Sequence, residues 1–395
     1  MNLKQQSVHT TPRHFAQLDG LRAVAVLAVL LQHFVPKDHL LLRILPWGDL
    51  GVHLFFVLSG FLITDILLRC RAETAQLNQS TAFTLRQFYA RRFLRIFPLY
   101  YAVIAVLYAF NYRSIRDDVV WHFTYLSNVF LSFNANLSRL GHVVHFWSLA
   151  VEEQFYLVWP ILILLIPRRF LPWLIGAALV FAPLFRLFAS LVWPTNYLAR
   201  SWLPFSCLDT LGAGALLACC RHMLHEYETP YRLLKKLSFY VGFPLFLGFC
   251  LLFALKATPY GIDTLFFRSV LALFFFGVVG MTVQGIPGIG GAILSSGPLT
   301  FLGKISYGIY VIHHFTIDFD RNLFQFLSLP YPEQSLLASF IIRLILTVVL
   351  ATLSWYLMEK WLNDLKRFFP YVSTSHRKNA LVSTASNRQS VAVAS

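Results

Sequence analysis

Long apolar runs recur along the chain, and the charged residues fall mostly in the short connectors between them. A helix of about 20 apolar residues crosses a hydrocarbon layer of about 30 Å. By that measure the pattern predicts about ten spans: 18–36, 48–68, 93–111, 146–166, 171–190, 201–220, 237–255, 265–284, 299–319 and 336–358. The stretch 121–133 is apolar and aromatic but too short to cross, and reads as interfacial or re-entrant. Composition agrees with this pattern. The chain is 57% hydrophobic and only 13% charged, with a mean hydropathy of +0.61, whereas soluble domains carry about 25% charged residues. The expected fold is all-α, a polytopic transmembrane helical bundle, and a buried soluble core explains the recurring runs poorly.

Charge in the connectors sets the expected orientation. Residues 69–95 hold Arg69, Arg71, Arg86, Arg91, Arg92 and Arg95, the turn near 168 holds Arg168 and Arg169, and 221–236 holds Arg221, Arg232, Lys235 and Lys236. The tail after 358 holds Lys360, Lys366, Arg367, Arg377 and Lys378. These alternate with loops that are poorer in Lys and Arg, so the positive-inside rule puts both termini in the cytoplasm and makes the number of spans even. The net charge of +15 then reads as a topology signal, dispersed over many loops, and not as a nucleic-acid footprint. The first apolar segment is long, begins late and contains Arg22, unlike a cleaved signal peptide. The organisation expected is a cytoplasmic segment 1–17, a transmembrane domain 18–360 and a disordered cytoplasmic tail 361–395. The five cysteines lack metal or disulfide spacing, and no metal is expected.

Ionisable residues inside spans are costly and mark functional candidates. The first span carries Arg22 near one end and His33 near the other. Eleven helical residues rise about 16 Å and turn about three times, so both side chains share a face. Orientation then sorts the polar groups into two sets. The inner set is Arg22, Arg91, Arg92 and Arg95 with Lys304. Clustered guanidiniums suit a polyphosphate. A plain positive-inside anchor is the competing explanation, and Arg22, inside an apolar helix, weighs against it. The outer set is His33, Glu152 and Glu153 with His145, Asp49 and His313. A histidine beside a carboxylate can take a proton from a hydroxyl; a purely structural histidine is the alternative. Adjacent glutamates point about 100° apart, so one of the two faces the site. Asp19, three residues before Arg22, reads as its local ion-pair partner. Together the two sets fit an acyl-CoA donor, held by its phosphates inside and reaching outward with its thioester arm.

Five motifs make a pattern: Leu18-Asp19-Gly20-Leu21-Arg22 with His33; Leu58-Ser59-Gly60-Phe61; Arg91-Arg92-Phe93-Leu94-Arg95 before Pro98; His145-Phe146-Trp147-Ser148-Leu149 running into Glu152-Glu153; and Leu302-Gly303 with Ser306-Tyr307-Gly308-Ile309-Tyr310 and His313. Over roughly 15–360 the chain resembles the acyltransferase-3 integral membrane acyltransferases, among them O-antigen, exopolysaccharide and nodulation-factor O-acetylases. The resemblance implies transfer of an acyl group, usually acetyl, from acyl-CoA (acetyl-CoA as co-substrate) to a carbohydrate hydroxyl. It implies that Arg22 and His33 are essential and that Arg92 and Arg95 receive the coenzyme. Where the family often has Glu-Arg-Pro, this chain has Glu359-Lys360-Trp361, so Glu359 reads as structural, and the form expected is the stand-alone one. The expected partners are acyl-CoA, membrane lipid and a carbohydrate acceptor: surface polysaccharide, lipid-linked glycan or lipo-oligosaccharide. The expected location is the bacterial cytoplasmic (inner) membrane. In the expected mechanism His33 is the base, Glu153 or Glu152 orients it, and Ser59, Ser148 and Tyr307 are candidates to stabilise the oxyanion. A covalent acyl-enzyme stays open. The rival is a proton-coupled transporter of a small anionic or acylated solute; no internal repeat favours it.

Overall fold

The apolar runs fold as helices, and no strand occurs among the described residues. The structure is a computed structural model; it describes residues 15–111, 113–134, 141–256, 263–332 and 335–371. The expected cytoplasmic segment up to 14 and the tail from 372 lie outside the described residues. The longer helices are α1 (Ala16–Phe34), α2 (Trp47–Gln76), α3 (Thr81–Ala109), α4 (Phe146–Leu165), α5 (Leu171–Val192) and α6 (Leu208–His222). They continue with α7 (Leu224–Leu237), which passes through a π turn into α8 (Phe243–Ala254), then α9 (Arg268–Gln284), α10 (Gly297–Lys304), α11 (Ser306–Ile312), α12 (Thr316–Phe326) and α13 (Leu336–Ser354).

Among the described residues, seven helical stretches are long and apolar enough to cross a membrane by length and composition, where the sequence pattern predicts about ten. The expected span 18–36 forms one helix, α1, but carries Asp19, Arg22 and His33 and is not among the seven. The segment 201–220 is broken. Pro204 has no amide proton to give and holds Leu203 extended (φ −71°, ψ 146°), so a 3₁₀ turn separates the short helix Tyr197–Trp202 from α6. The segment 299–319 is broken twice. Ile305 leaves the helical range (φ −93°, ψ 6°) between α10 and α11, and His313–Phe315 tightens to 3₁₀ before α12. The region 121–133 forms parts of two short helices, Val119–Phe123 and Ser127–Phe133. The tail expected to be disordered from 361 is ordered up to Tyr371, as a short helix Lys360–Asp364 and a 3₁₀ turn Leu365–Phe368.

Small residues set the spacing of the central helices. A Cβ on Gly60 of α2 would run into the Leu211 carbonyl of α6, and a Cβ on Gly214 of α6 would run into the Val57 carbonyl of α2. The two backbones are therefore in reciprocal contact, the close approach that small residues permit between helices in lipid. Gly214→Val is expected to cost at least about 1–3 kcal/mol through forced separation. A thermal melt in detergent should show a midpoint several degrees lower; an unchanged midpoint would contradict this packing. Buried ion pairs between helices are satisfied structurally. Arg186 donates to Asp209 at 2.7 Å with Ser269 completing the group, and Arg343 of α13 donates to Asp320 of α12 at 2.8 Å.

Candidate functional site

Ser80 caps α3 by accepting from the Phe83 amide at 3.2 Å, so the arginines expected at a helix entrance sit near its middle, Arg95 at the midpoint and Arg91 and Arg92 about one turn before it. Their side chains part company. Arg91 donates to the carbonyls of Lys366 (2.8 Å) and Phe369 (3.2 Å), and its guanidinium stands 4.8 Å from the Tyr371 ring. It is thereby committed to the ordered part of the tail. Arg92 stands over the Tyr156 ring at 5.1 Å and the Phe88 ring at 5.7 Å. Arg95 stands 5.7 Å over Trp355 and reaches the Lys304 carbonyl at 3.4 Å, while the Lys304 ammonium lies 4.8 Å over the same indole. Arg22 is paired with Asp19 at 2.6 Å, and its side chain remains 30% exposed. Arg95 is within electrostatic reach of Arg22, Arg92 and Glu359. The structure thus gathers Arg22, Arg92 and Arg95, with aromatic faces holding two of the guanidiniums, and turns Arg91 away. Arg91→Ala is expected to speed chymotryptic cleavage within 365–371 severalfold while leaving the donor KM within about twofold; a large KM rise with an intact tail would return Arg91 to the phosphate set.

Glu152 belongs to this arginine end. Its carboxylate accepts from Ser59 Oγ at 2.6 Å, Ser59 in turn accepts from Tyr156 OH at 2.9 Å, and Arg92 and Arg22 are within electrostatic reach. Glu153, one residue on, is within electrostatic reach of Tyr100, Tyr101, Tyr125 and Tyr307. Among the described residues no hydrogen bond joins His33 to either glutamate, so the expected Glu–His pair is not formed. The three hydroxyls singled out as oxyanion candidates all have engaged protons. Ser59 donates to Glu152, Ser148 donates to the His145 carbonyl at 3.1 Å and also meets Tyr310 OH, and Tyr307 donates to the Ile96 carbonyl at 2.7 Å.

His33 lies about 16 Å further along α1. Its ring packs against His314 (centroids 4.2 Å apart) and His313 (5.1 Å). His145 stacks on His314 with planes 6° apart at 4.7 Å. The tautomer of two rings follows from their partners, because a carbonyl can only accept. His313 Nδ1 is 2.7 Å from the Tyr310 carbonyl, and His145 Nε2 is 3.3 Å from the Val311 carbonyl, so each of these nitrogens carries the proton. The 3₁₀ turn after α11 is what brings His313 Nδ1 to the Tyr310 carbonyl. The ligand atoms of His33, His313 and His314 lie within 4.8 Å of one another. Asp49, expected with this set, is instead within electrostatic reach of Arg268.

Sequence reading did not assign His314, Trp355, Tyr156 or Tyr310. Tyr310 and Tyr156 fall within the quoted motif regions, at helical spacing from His313 and Glu152, which is the signal that points to them. Nothing local points to Trp355.

The acyltransferase domain family model matches residues 15–358 of this chain. A peptidoglycan O-acetyltransferase, OatA, of Listeria monocytogenes is 30% identical over 329 residues, covering 76% of this chain and 49% of that protein. An O-acetyltransferase, OatA, of Staphylococcus aureus is 28% identical over 366 residues, covering 88% of this chain and 57% of that protein. The chain thus spans about half the length of the curated relatives it matches. No solved structure matches it. With a match that covers nearly all of the helical bundle, the chain belongs to the acyltransferase domain family and is a multi-pass membrane protein.

Proposed function

We propose that this chain transfers an acetyl group from acetyl-CoA to a hydroxyl of a cell-surface glycan, in the peptidoglycan class that the Listeria relative's name specifies. The reading rests on the division of α1: Arg22 at one end among guanidiniums, His33 at the other among imidazoles. The hydrogen-bonded group Tyr156–Ser59–Glu152 lies with the guanidiniums, and Ser148 and Tyr310 join the imidazoles through the His145 carbonyl. Guanidiniums present planar forks of donors to phosphate oxygens, so Arg22, Arg92 and Arg95 take the nucleotide end of the coenzyme. The thin thioester arm then runs along α1 toward His33.

At that end the acceptor hydroxyl gives its proton to a His33 ring nitrogen as its oxygen attacks the thioester carbonyl. The carbon–sulfur bond breaks, its electron pair leaves on the coenzyme sulfur, and that sulfur is protonated as the thiol. Positioned base catalysis of this kind is worth about 10²–10⁴ in rate. Glu152, held by Ser59, offsets part of the arginine charge, and the ring contact with His313 holds the imidazole. The arginine end faces the cytoplasm, where the donor is made, with both termini on that side of the bacterial cytoplasmic membrane. The apolar outer faces of the bundle meet lipid.

The test uses proteoliposomes, acetyl-CoA and a peptidoglycan oligosaccharide. Release of free coenzyme thiol that requires the acceptor supports transfer. Solute uptake without thiol release would support the transporter instead.

A further inference from the structure

We propose that His33, His313 and His314 form a site for a borderline divalent transition metal of the zinc class, and that its occupancy switches acetyl transfer off. The second half rests on the reading of His33 as the base, because a lone pair given to a metal is not available to a proton.

Three observations carry the site. The ligand atoms of the three imidazoles converge within 4.8 Å. His313, fully buried, donates from Nδ1 to the Tyr310 carbonyl at 2.7 Å, which leaves the lone pair on Nε2, and that nitrogen has no hydrogen-bond partner. An imidazole with one nitrogen anchored on a backbone carbonyl and the other unprotonated is the arrangement that metal-ligating histidines adopt. A buried polar atom without a partner is costly, and a bound cation removes that cost. Lastly, His33 and His314 are only half-buried, so an ion has a way in and a fourth ligand position stays open to water.

The donor set fixes the metal class. Three neutral nitrogens without carboxylate oxygen suit zinc, cobalt, nickel or copper and disfavour magnesium and calcium. Zinc–nitrogen bonds of about 2.0–2.1 Å at tetrahedral angles put the nitrogens about 3.3 Å apart. The rings close that gap by rotating about their side-chain torsions.

The experiment titrates tag-free full-length protein in detergent with Co²⁺ alone. The expected result is a visible absorption band that saturates at one ion per chain and is bleached by Zn²⁺. His314→Gln and His313→Gln, checked for an unchanged elution profile, should bind at least tenfold more weakly. No saturable binding in the wild type, or unchanged binding in His314→Gln, overturns the site. The wild-type titration needs no variant, so a folding defect does not blunt the test. Zn²⁺ is then added to the acceptor-dependent thiol-release assay. Transfer should fall at least tenfold in the wild type, recover with a chelator and resist Zn²⁺ in His314→Gln. Binding without loss of transfer overturns the switch alone. A chelator that abolishes transfer overturns both the switch and the reading of His33 as a free base. Failure of the metal site with His33→Ala inactive leaves that reading standing.

Discussion

His33→Ala is expected to lower kcat for acetyl transfer by about 10²–10⁴-fold, the range for loss of a positioned general base, with acetyl-CoA binding nearly unchanged. The separation follows from distance. His33 lies about 16 Å along α1 from Arg22, and its ring contacts are other histidines, not the guanidiniums. Truncating it leaves the stacking of Arg92 on Tyr156 and of Arg95 on Trp355 in place. Equilibrium binding of radiolabelled acetyl-CoA, run beside acceptor-dependent thiol release, checks both halves. Near-normal turnover would remove the base assignment. Loss of binding in the same variant would mean that the donor site extends to the histidines.

Arg92→Ala and Arg95→Ala are expected to act the other way, raising the donor KM by about 10- to 100-fold. If these arginines hold the coenzyme phosphates as proposed, each substitution removes charge-assisted hydrogen bonds worth about 1.5–3 kcal/mol. Lysine should restore Arg95 only in part, because a point charge replaces a planar fork and the stacking on Trp355 weakens. The measurement is initial rate against acetyl-CoA concentration at saturating acceptor. A kcat loss with constant KM would place these arginines at the reacting carbonyl instead of at the phosphates.

Much of this was legible in the sequence. Apolar runs of spanning length gave the all-helical bundle, because period and length are local properties. The pairing of Asp19 with Arg22 was legible for the same reason, since three residues along a helix are neighbours. What was not legible depends on contacts distant in the chain. Arg91 reads like its neighbours Arg92 and Arg95, and only the carbonyls 275 and 278 residues away separate it from them. Glu152 was expected beside His33, but Ser59, 93 residues back, holds it at the arginine end. Three of the ten expected spans are not among the stretches that qualify by length and apolarity: α1 stays one helix but carries Asp19, Arg22 and His33, while 201–220 and 299–319 are broken, and hydropathy averages over a break. Pro204 and the non-helical Ile305 interrupt their segments without making them less apolar. One of those breaks matters to the site, because the 3₁₀ turn after α11 aims His313 at its own backbone and into the histidine cluster.

The most direct measurement is vectorial. Sealed vesicles with the protein in one verified orientation receive labelled acetyl-CoA on the face where Arg22, Arg92 and Arg95 open, and a membrane-impermeant glycan acceptor on the face where His33 opens. Donor and acceptor meeting along α1 predicts labelled glycan on the acceptor side and free coenzyme thiol on the donor side, both lost in His33→Ala. Transfer only when donor and acceptor share one face would contradict it.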